Sequence, residues 1–456
     1  MQRQTWTNHI TYILTIAGAT IGFGATWRFP YLVGENGGGA YVLIFILAMI
    51  LVGIPIILVE NVIGRMAHKN SIDAFGENTN KSAWKIIGYM GAIGAFGILA
   101  YYMVLGGWVI AYIANIFTSF FGDIGLNLSS PITKEITSEF YSQNIENSPW
   151  LIGFYTLIFV VINYIILKKG IIDGIERSVK WLMPLLLLCL LGMIARNITL
   201  ENAMEGIKFY LIPDFSAITP KLFLYVLGQV FFALSLGFGV MITLSSHLRK
   251  DEKLVKTACI TGIINTLVAI LAGFIIFPSL FSVGLAPDSG PSLVFKSLPI
   301  AFSHMVFGGF FAIVFFILLL IAALTTSLTI YQVIISILEE KFKLSHNKAV
   351  SFTLIAVFIL GNLPCILAYG PWSDIIIFGR NIFDNFDFIS GNIFFVLTAL
   401  GSVIYVGWVL DKSAIKEINN HSSKSSLFSL IWFYYIKYII PPIILAIFIG
   451  GFVIKF

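Results

Sequence analysis

The chain has 456 residues, 58% of them hydrophobic and only 11% charged, with a formal net charge of +5. Soluble domains run at about 45–50% apolar and 25% charged, so this composition excludes a soluble globular protein and makes the lipid bilayer the solvent. The basic excess holds no dense Lys/Arg run, which removes a nucleic-acid patch from consideration.

Apolar runs long enough to cross about 30 Å of hydrocarbon recur along the whole chain. They predict eleven spans, near 10–33, 41–64, 86–121, 150–167, 176–195, 221–246, 255–284, 305–338, 347–368, 375–410 and 430–454. No small-residue cleavage site follows the first run, so the first span is expected to stay as a helix rather than be removed as a signal peptide. Lys and Arg gather in short cytoplasmic loops. Here 19 fall on the side of Arg3 and 8 on the other, which predicts an N-terminus inside and, with eleven spans, a C-terminus outside. The short loops and tails suit the inner membrane of a bacterium. Segments 121–149, 197–220 and 286–299 are the long outer loops, and in the last Ser292 could cap a short helix.

In the first span, Ala17-Gly-Ala-Thr-Ile-Gly-Phe-Gly-Ala25 packs three glycines into seven residues, each costing a helix interior about 1 kcal/mol relative to Ala. The sixth span repeats the core in Leu234-Ser-Leu-Gly-Phe-Gly239. A single Gly-rich span more often marks close helix packing. Two matching ones, five spans apart, favour paired helix breaks at a transport site. Carbonyls and amides freed at such breaks must be satisfied in lipid by something bound.

Further stretches carry a family likeness: Trp27-Arg-Phe-Pro30, Glu35-Asn-Gly-Gly-Gly-Ala40, Gly53-Ile-Pro55 with Glu60, Gly64-Arg65, Tyr101-Tyr102, Gln229 to Gly239, Arg249-Lys-Asp251 and Thr325-Thr-Ser327. Through them nearly the whole chain resembles the neurotransmitter:sodium symporter family, in its bacterial, leucine-transporter-like branch. The resemblance implies an all-α membrane protein of eleven transmembrane helices: a 5+5 inverted repeat with helices 1 and 6 interrupted, plus one extra C-terminal helix. Residues 1–196 would hold the first repeat, 197–411 the second, and 412–456 a cytoplasmic loop and helix 11.

The same resemblance implies the site. A substrate carboxylate would meet the amides of Phe23 and Gly24 and the Tyr102 hydroxyl. Its amino group would meet the carbonyls of Thr20, Phe232 and Ala233 and the Ser235 hydroxyl. Ile98, Phe232, Phe238, Thr326 and Ile330 would wall the side chain. An Asp stands at the Gly22 position in monoamine carriers, so Gly22 points to an α-amino acid. With no formal charge in the pocket, a charged side chain would be buried unpaired, and a neutral, apolar one fits better. The second sodium site maps without loss onto the carbonyls of Gly18, Ile21 and Ala322 and the hydroxyls of Thr325 and Thr326, although Thr hydroxyls also bond back to the preceding helical turn. Arg28 with Asp387, or Asp384 in its stead, would gate the outer side over Tyr102 and Phe232. Arg3 with Glu340 would gate the inner side near Trp6 and Ser246, where His247 replaces the usual Tyr. Glu60 is expected to be a buried hydrogen-bond anchor.

Two family sites are depleted. Ala25 and Ala233 replace ligands of the first sodium site and leave only Asn265. Phe45, Ala233 and Ala269 remove the chloride site down to Gln229 and Asn265. The expectation is chloride-independent import of a neutral amino acid driven mainly by one sodium ion. One charge crossing 100 mV supplies roughly 2.3 kcal/mol and a tenfold gradient about 1.4 kcal/mol more, enough for several-hundred-fold accumulation. The alternative is a sensor or channel that binds an amino acid without sodium coupling. An enzyme is not expected: His9, His68, His247, His304, His346 and His421 form no spaced metal motif, and no nucleophile adjoins an evident base. Cys189, Cys259 and Cys365 imply no disulfide framework. No obligate protein partner is evident.

Overall fold

The computed structural model describes residues 5–77, 82–122, 125–287, 293–420 and 426–453. Arg3 and Ser292 lie outside the described residues. Within them the chain is all helical, apart from two isolated bridges, Gly38 with Pro213 and Ile377 with Arg380.

We label the helices that build the bundle α1 (His9–Thr20), α2 (Gly24–Glu35), α3 (Gly39–Ala67), α4 (Ser82–Thr118), α5 (Pro149–Leu167), α6 (Ile171–Asn197), α7 (Pro220–Ala233), α8 (Val240–Ser245), α9 (Leu254–Ser282), α10 (Leu293–Ser303), α11 (Gly308–Glu340), α12 (His346–Leu367), α13 (Ile382–Leu410) and α14 (Leu427–Phe452). Among the described residues nine are long and apolar enough to cross a membrane, and α1 with α2, bent by 55° at their junction, would make a tenth. The sixth expected span is two pieces, α7 of 14 residues and α8 of 6, neither of which reaches across by itself. Helix starts follow local chemistry: Asn8 accepts from the Thr11 amide at 2.9 Å, and Thr219, just before Pro220, accepts from the Leu222 amide at 3.2 Å.

Burial sorts the helices into layers. The most apolar stretch of α4 is 83% buried and that of α11 72%, against 33% for α5, α6 and α14, so α4 and α11 form the centre and the latter three the lipid-facing rim. Glycines at 88, 91, 94 and 97, three apart, make one small-residue stripe along α4. A Cβ at Gly94 would lie 2.7 Å from the Phe395 ring, and one at Gly91 would lie 3.2 Å from the Gly237 carbonyl. The stripe therefore seats α13 and the break between α7 and α8 directly on the central helix.

The long outer loops carry helices too short to stand out as spans, of 8 and 9 residues. Lys134–Tyr141 lies in the first and Ala203–Leu211 in the second, where the Tyr210 hydroxyl donates to the Ile270 carbonyl at 2.9 Å and ties that loop to α9.

Candidate functional site

Both glycine-rich cores are breaks. α1 ends at Thr20, the Ile21 amide turning back to the Ala17 carbonyl at 2.8 Å, and the helix resumes at Gly24. In the sixth span α7 ends at Ala233, after which Ser235, Gly237 and Gly239 take φ of 53°, 79° and 74°. These are left-handed values that bar helix continuation. Glycine is required at 237 for space as well, since a Cβ would lie 2.1 Å from the Phe395 carbonyl oxygen.

The backbone groups released at the breaks find buried side chains. Glu60, fully buried on α3, accepts the Gly237 amide at 2.7 Å. Gln229 Nε2 donates to the Gly24 carbonyl at 2.6 Å, and Asn265 Nδ2 to those of Thr20 and Ala233 at 2.9 and 3.1 Å. The Ser235 hydroxyl donates to the Ala19 carbonyl at 3.1 Å. A freed group left without any partner would carry a desolvation cost of about 1–3 kcal/mol, although the Gly24 carbonyl also accepts from the Phe29 amide within α2.

Between the breaks lies one enclosed cavity, lined by Thr20, Gly22, Phe23, Gly24, Ile98, Tyr102, Phe232, Ser235, Phe238, Thr326 and Ile330. Every side chain expected to touch substrate is there. Ala233, expected through its carbonyl, adjoins instead through the Asn265 bond. The free space is about 10 Å³, roughly one water. The Phe23 amide donates to the Tyr102 hydroxyl at 3.3 Å, which brings together two donors expected for a carboxylate. Gly22 has no room for a side chain: a Cβ would meet Tyr102 Oη at 2.5 Å and Thr326 Oγ1 at 2.6 Å.

Beside the cavity α1 packs on α11. Thr326 Oγ1 donates to the Gly18 carbonyl at 3.0 Å, and Thr325 Oγ1 lies 3.1 Å from the Ala322 carbonyl and 3.0 Å from that of Ile321. Thr325 thus makes the back-bond to its own helix, whereas Thr326 reaches across to α1. Gly18, Ala322, Thr325 and Thr326 form a buried cluster of neutral oxygens, with Ile21 capping the same end of α1. Such a set suits a hard cation. Among the described residues no group of three or more His, Cys, Asp or Glu side chains could hold a metal.

Of the residues at the two positions expected to be depleted, Ala25, Ala233, Ala269 and Phe45 are buried, and Gln229 and Asn265 direct their amides at backbone carbonyls.

Above the cavity opens a vestibule of about 370 Å³, with Tyr102 and Phe232 at its base and Trp27, Arg28, Asp384 and Asp387 on its walls. The expected Arg28–Asp387 ion pair is not formed. Both residues line the vestibule, and the Arg28 guanidinium lies 4.5 Å over the Phe232 ring. At the opposite end Glu340 accepts from the Asn70 amide at 2.7 Å, and Trp6 Nε1 donates to the Leu244 carbonyl at 3.0 Å with its ring edge-on to His247. The Arg3 half of the inner pair lies outside the described residues.

One residue that backs the cavity wall had no signal in the sequence. Phe395 of α13 stacks on Phe238 and presses its carbonyl against Gly237, but it comes from a plain apolar run 157 positions along from Phe238.

The match with known proteins covers the same features. The model of the sodium:neurotransmitter symporter family matches residues 3–124 and 141–456. An uncharacterized sodium-dependent transporter of Haemophilus influenzae is 62% identical over 99% of this chain and 98% of its own length. The uncharacterized sodium-dependent transporter YhdH of Bacillus subtilis is 35% identical over 98% and 97%. The crystal structure of MhsT in complex with L-phenylalanine superposes with a TM-score of 0.88 at 35% identity, covering 98% of this chain and all of that one. With the interrupted helices, the enclosed cavity and these matches along nearly its whole length, the chain belongs to the sodium:neurotransmitter symporter family, whose members are secondary transporters embedded in membranes.

Proposed function

We propose that this transporter imports a neutral amino acid with an apolar side chain, driven by one sodium ion and independent of chloride. The observation that carries the reading is the cavity between the two breaks. It sets the Phe23 amide and Tyr102 hydroxyl side by side for a carboxylate, Thr20 and Ser235 as oxygen-bearing residues for an ammonium, and only neutral walls for the side chain. The L-phenylalanine bound by MhsT supports an amino-acid substrate.

The coupling ion would sit on the carbonyls of Gly18, Ile21 and Ala322 and the hydroxyls of Thr325 and Thr326, where it would draw the end of α1 onto α11. Closing the vestibule would bring Asp387 to Arg28. Residues 1–196 and 197–411 would be the inverted repeats and 412–456 the added loop and helix, eleven spans in all. The protein would lie in a bacterial inner membrane with its N-terminus inside.

Reconstituted vesicles test the proposal. Uphill uptake of labelled apolar amino acids, abolished by a sodium ionophore and unchanged when gluconate replaces chloride, is the expected result. Binding without uphill uptake would instead favour a sensor or channel.

A further inference from the structure

Thr20 and Ala233 are the last residues of α1 and α7. Their carbonyls sit at the C-terminal, partially negative ends of two half-helices buried in the protein, a setting that favours a positive charge. Both carbonyls accept from a single group, Nδ2 of Asn265 on α9, at 2.9 and 3.1 Å. That side chain is fully buried, and its Oδ1 has no hydrogen-bond partner. The reverse orientation would set three oxygens together with no proton among them, so the two carbonyls hold the amide this way round. The methyl groups of Ala25 and Ala233, both buried, offer no oxygen to an ion.

We infer that the Asn265 carboxamide is a built-in, neutral substitute for a cation, tying the two interrupted helices together at their breaks so that the substrate cavity keeps its shape with no ion bound there. Two N–H bonds, one to each helix end, perform the bridging that an ion would otherwise supply. Asn265 is thus a positioning residue: it acts on the cavity through Thr20, which lines it, and through Ala233 beside it. The inference deepens the single-ion reading and rests on it.

The test is the thermal stability of the purified, full-length protein as sodium replaces potassium at constant ionic strength. The wild type is expected to follow a one-site curve. Asn265→Asp removes both donors and adds a charge, so at about pH 8, where a carboxylate is ionised, three oxygens face one another and a second sodium ion is needed. The Hill slope then rises towards two. At about pH 4, near the ordinary aspartate pKa, partial protonation returns a donor, and the slope falls back. Asn265→Ala loses both bonds without gaining a ligand, so it lowers the midpoint at an unchanged slope.

A wild-type slope of two sinks the single-ion reading whatever the variants do. A one-ion wild type whose Asn265→Asp form keeps the same slope and midpoint sinks this inference alone. Should Asn265→Asp not fold, Asn265→Ala decides: a wild-type midpoint, or a steeper sodium slope, overturns the role of the amide.

Discussion

Glu60 Oε1 accepts the Gly237 amide at 2.7 Å, so a carboxyl group on α3 caps the unwound stretch between α7 and α8 from below. Glu60→Gln keeps an oxygen in that place and is expected to fold with a near-normal melting temperature. Glu60→Ala leaves the amide buried and unpaired, at a cost of about 1–3 kcal/mol. Melting of the two variants side by side in detergent checks the cap. Equal melting temperatures would show that the bond adds nothing.

Gly22 is where a side chain would do most harm to the cavity. Gly22→Ala forces a Cβ against Tyr102 and Thr326 at 2.5 and 2.6 Å, and overpacking of that kind costs about 1–3 kcal/mol. Equilibrium binding of labelled neutral amino acids should weaken by about tenfold or more, while the protein remains monodisperse. Unchanged affinity would mean that the hydroxyls move aside freely.

Thr326 donates across to Gly18 on α1, whereas Thr325 bonds within α11. Thr326→Val is near in shape but loses the hydroxyl. The sodium concentration for half-maximal stabilisation, measured without amino acid, is expected to rise by about tenfold, the loss of one good oxygen contact. A sodium curve that does not move would place the ion elsewhere.

Arg65 sits wholly buried, with Nε 2.5 Å from Glu417 Oε1 and Nη2 2.5 Å from the Glu417 carbonyl, and it also donates to the Glu252 carbonyl. It locks the end of α3 to the segments before α9 and after α13. Removing one partner strands the other charge, so Arg65→Met and Glu417→Gln should each destabilise by about 3–5 kcal/mol. In the double variant no charge is stranded, and part of the loss should return. A double-mutant cycle of melting temperatures measures that recovery.

Much of this architecture is legible in the chain because its signals are local. Spans are runs of apolar residues, and breaks are glycines placed where a helix cannot tolerate them. Ser235 is the exception: nothing in its chemistry announces a φ of 53°, at which its hydroxyl donates to the Ala19 carbonyl. Shortness likewise hid the helices Lys134–Tyr141 and Ala203–Leu211, of 8 and 9 residues.

The paired breaks at Gly22-Phe23-Gly24 and Gly237-Phe238-Gly239, the alanines at 25 and 233, and the oxygen-bearing residues of α1 and α11 are properties of residue identity, and the sequence by itself determined them. Partnership was decided only in three dimensions. Arg28 lies over the Phe232 ring, Phe395 backs Phe238, and the Asn265 amide turns both its hydrogens to the ends of two helices. The physical reason is that direction and distance settle a buried hydrogen bond or an ion pair, and both are set by where separate helices come together in the bundle.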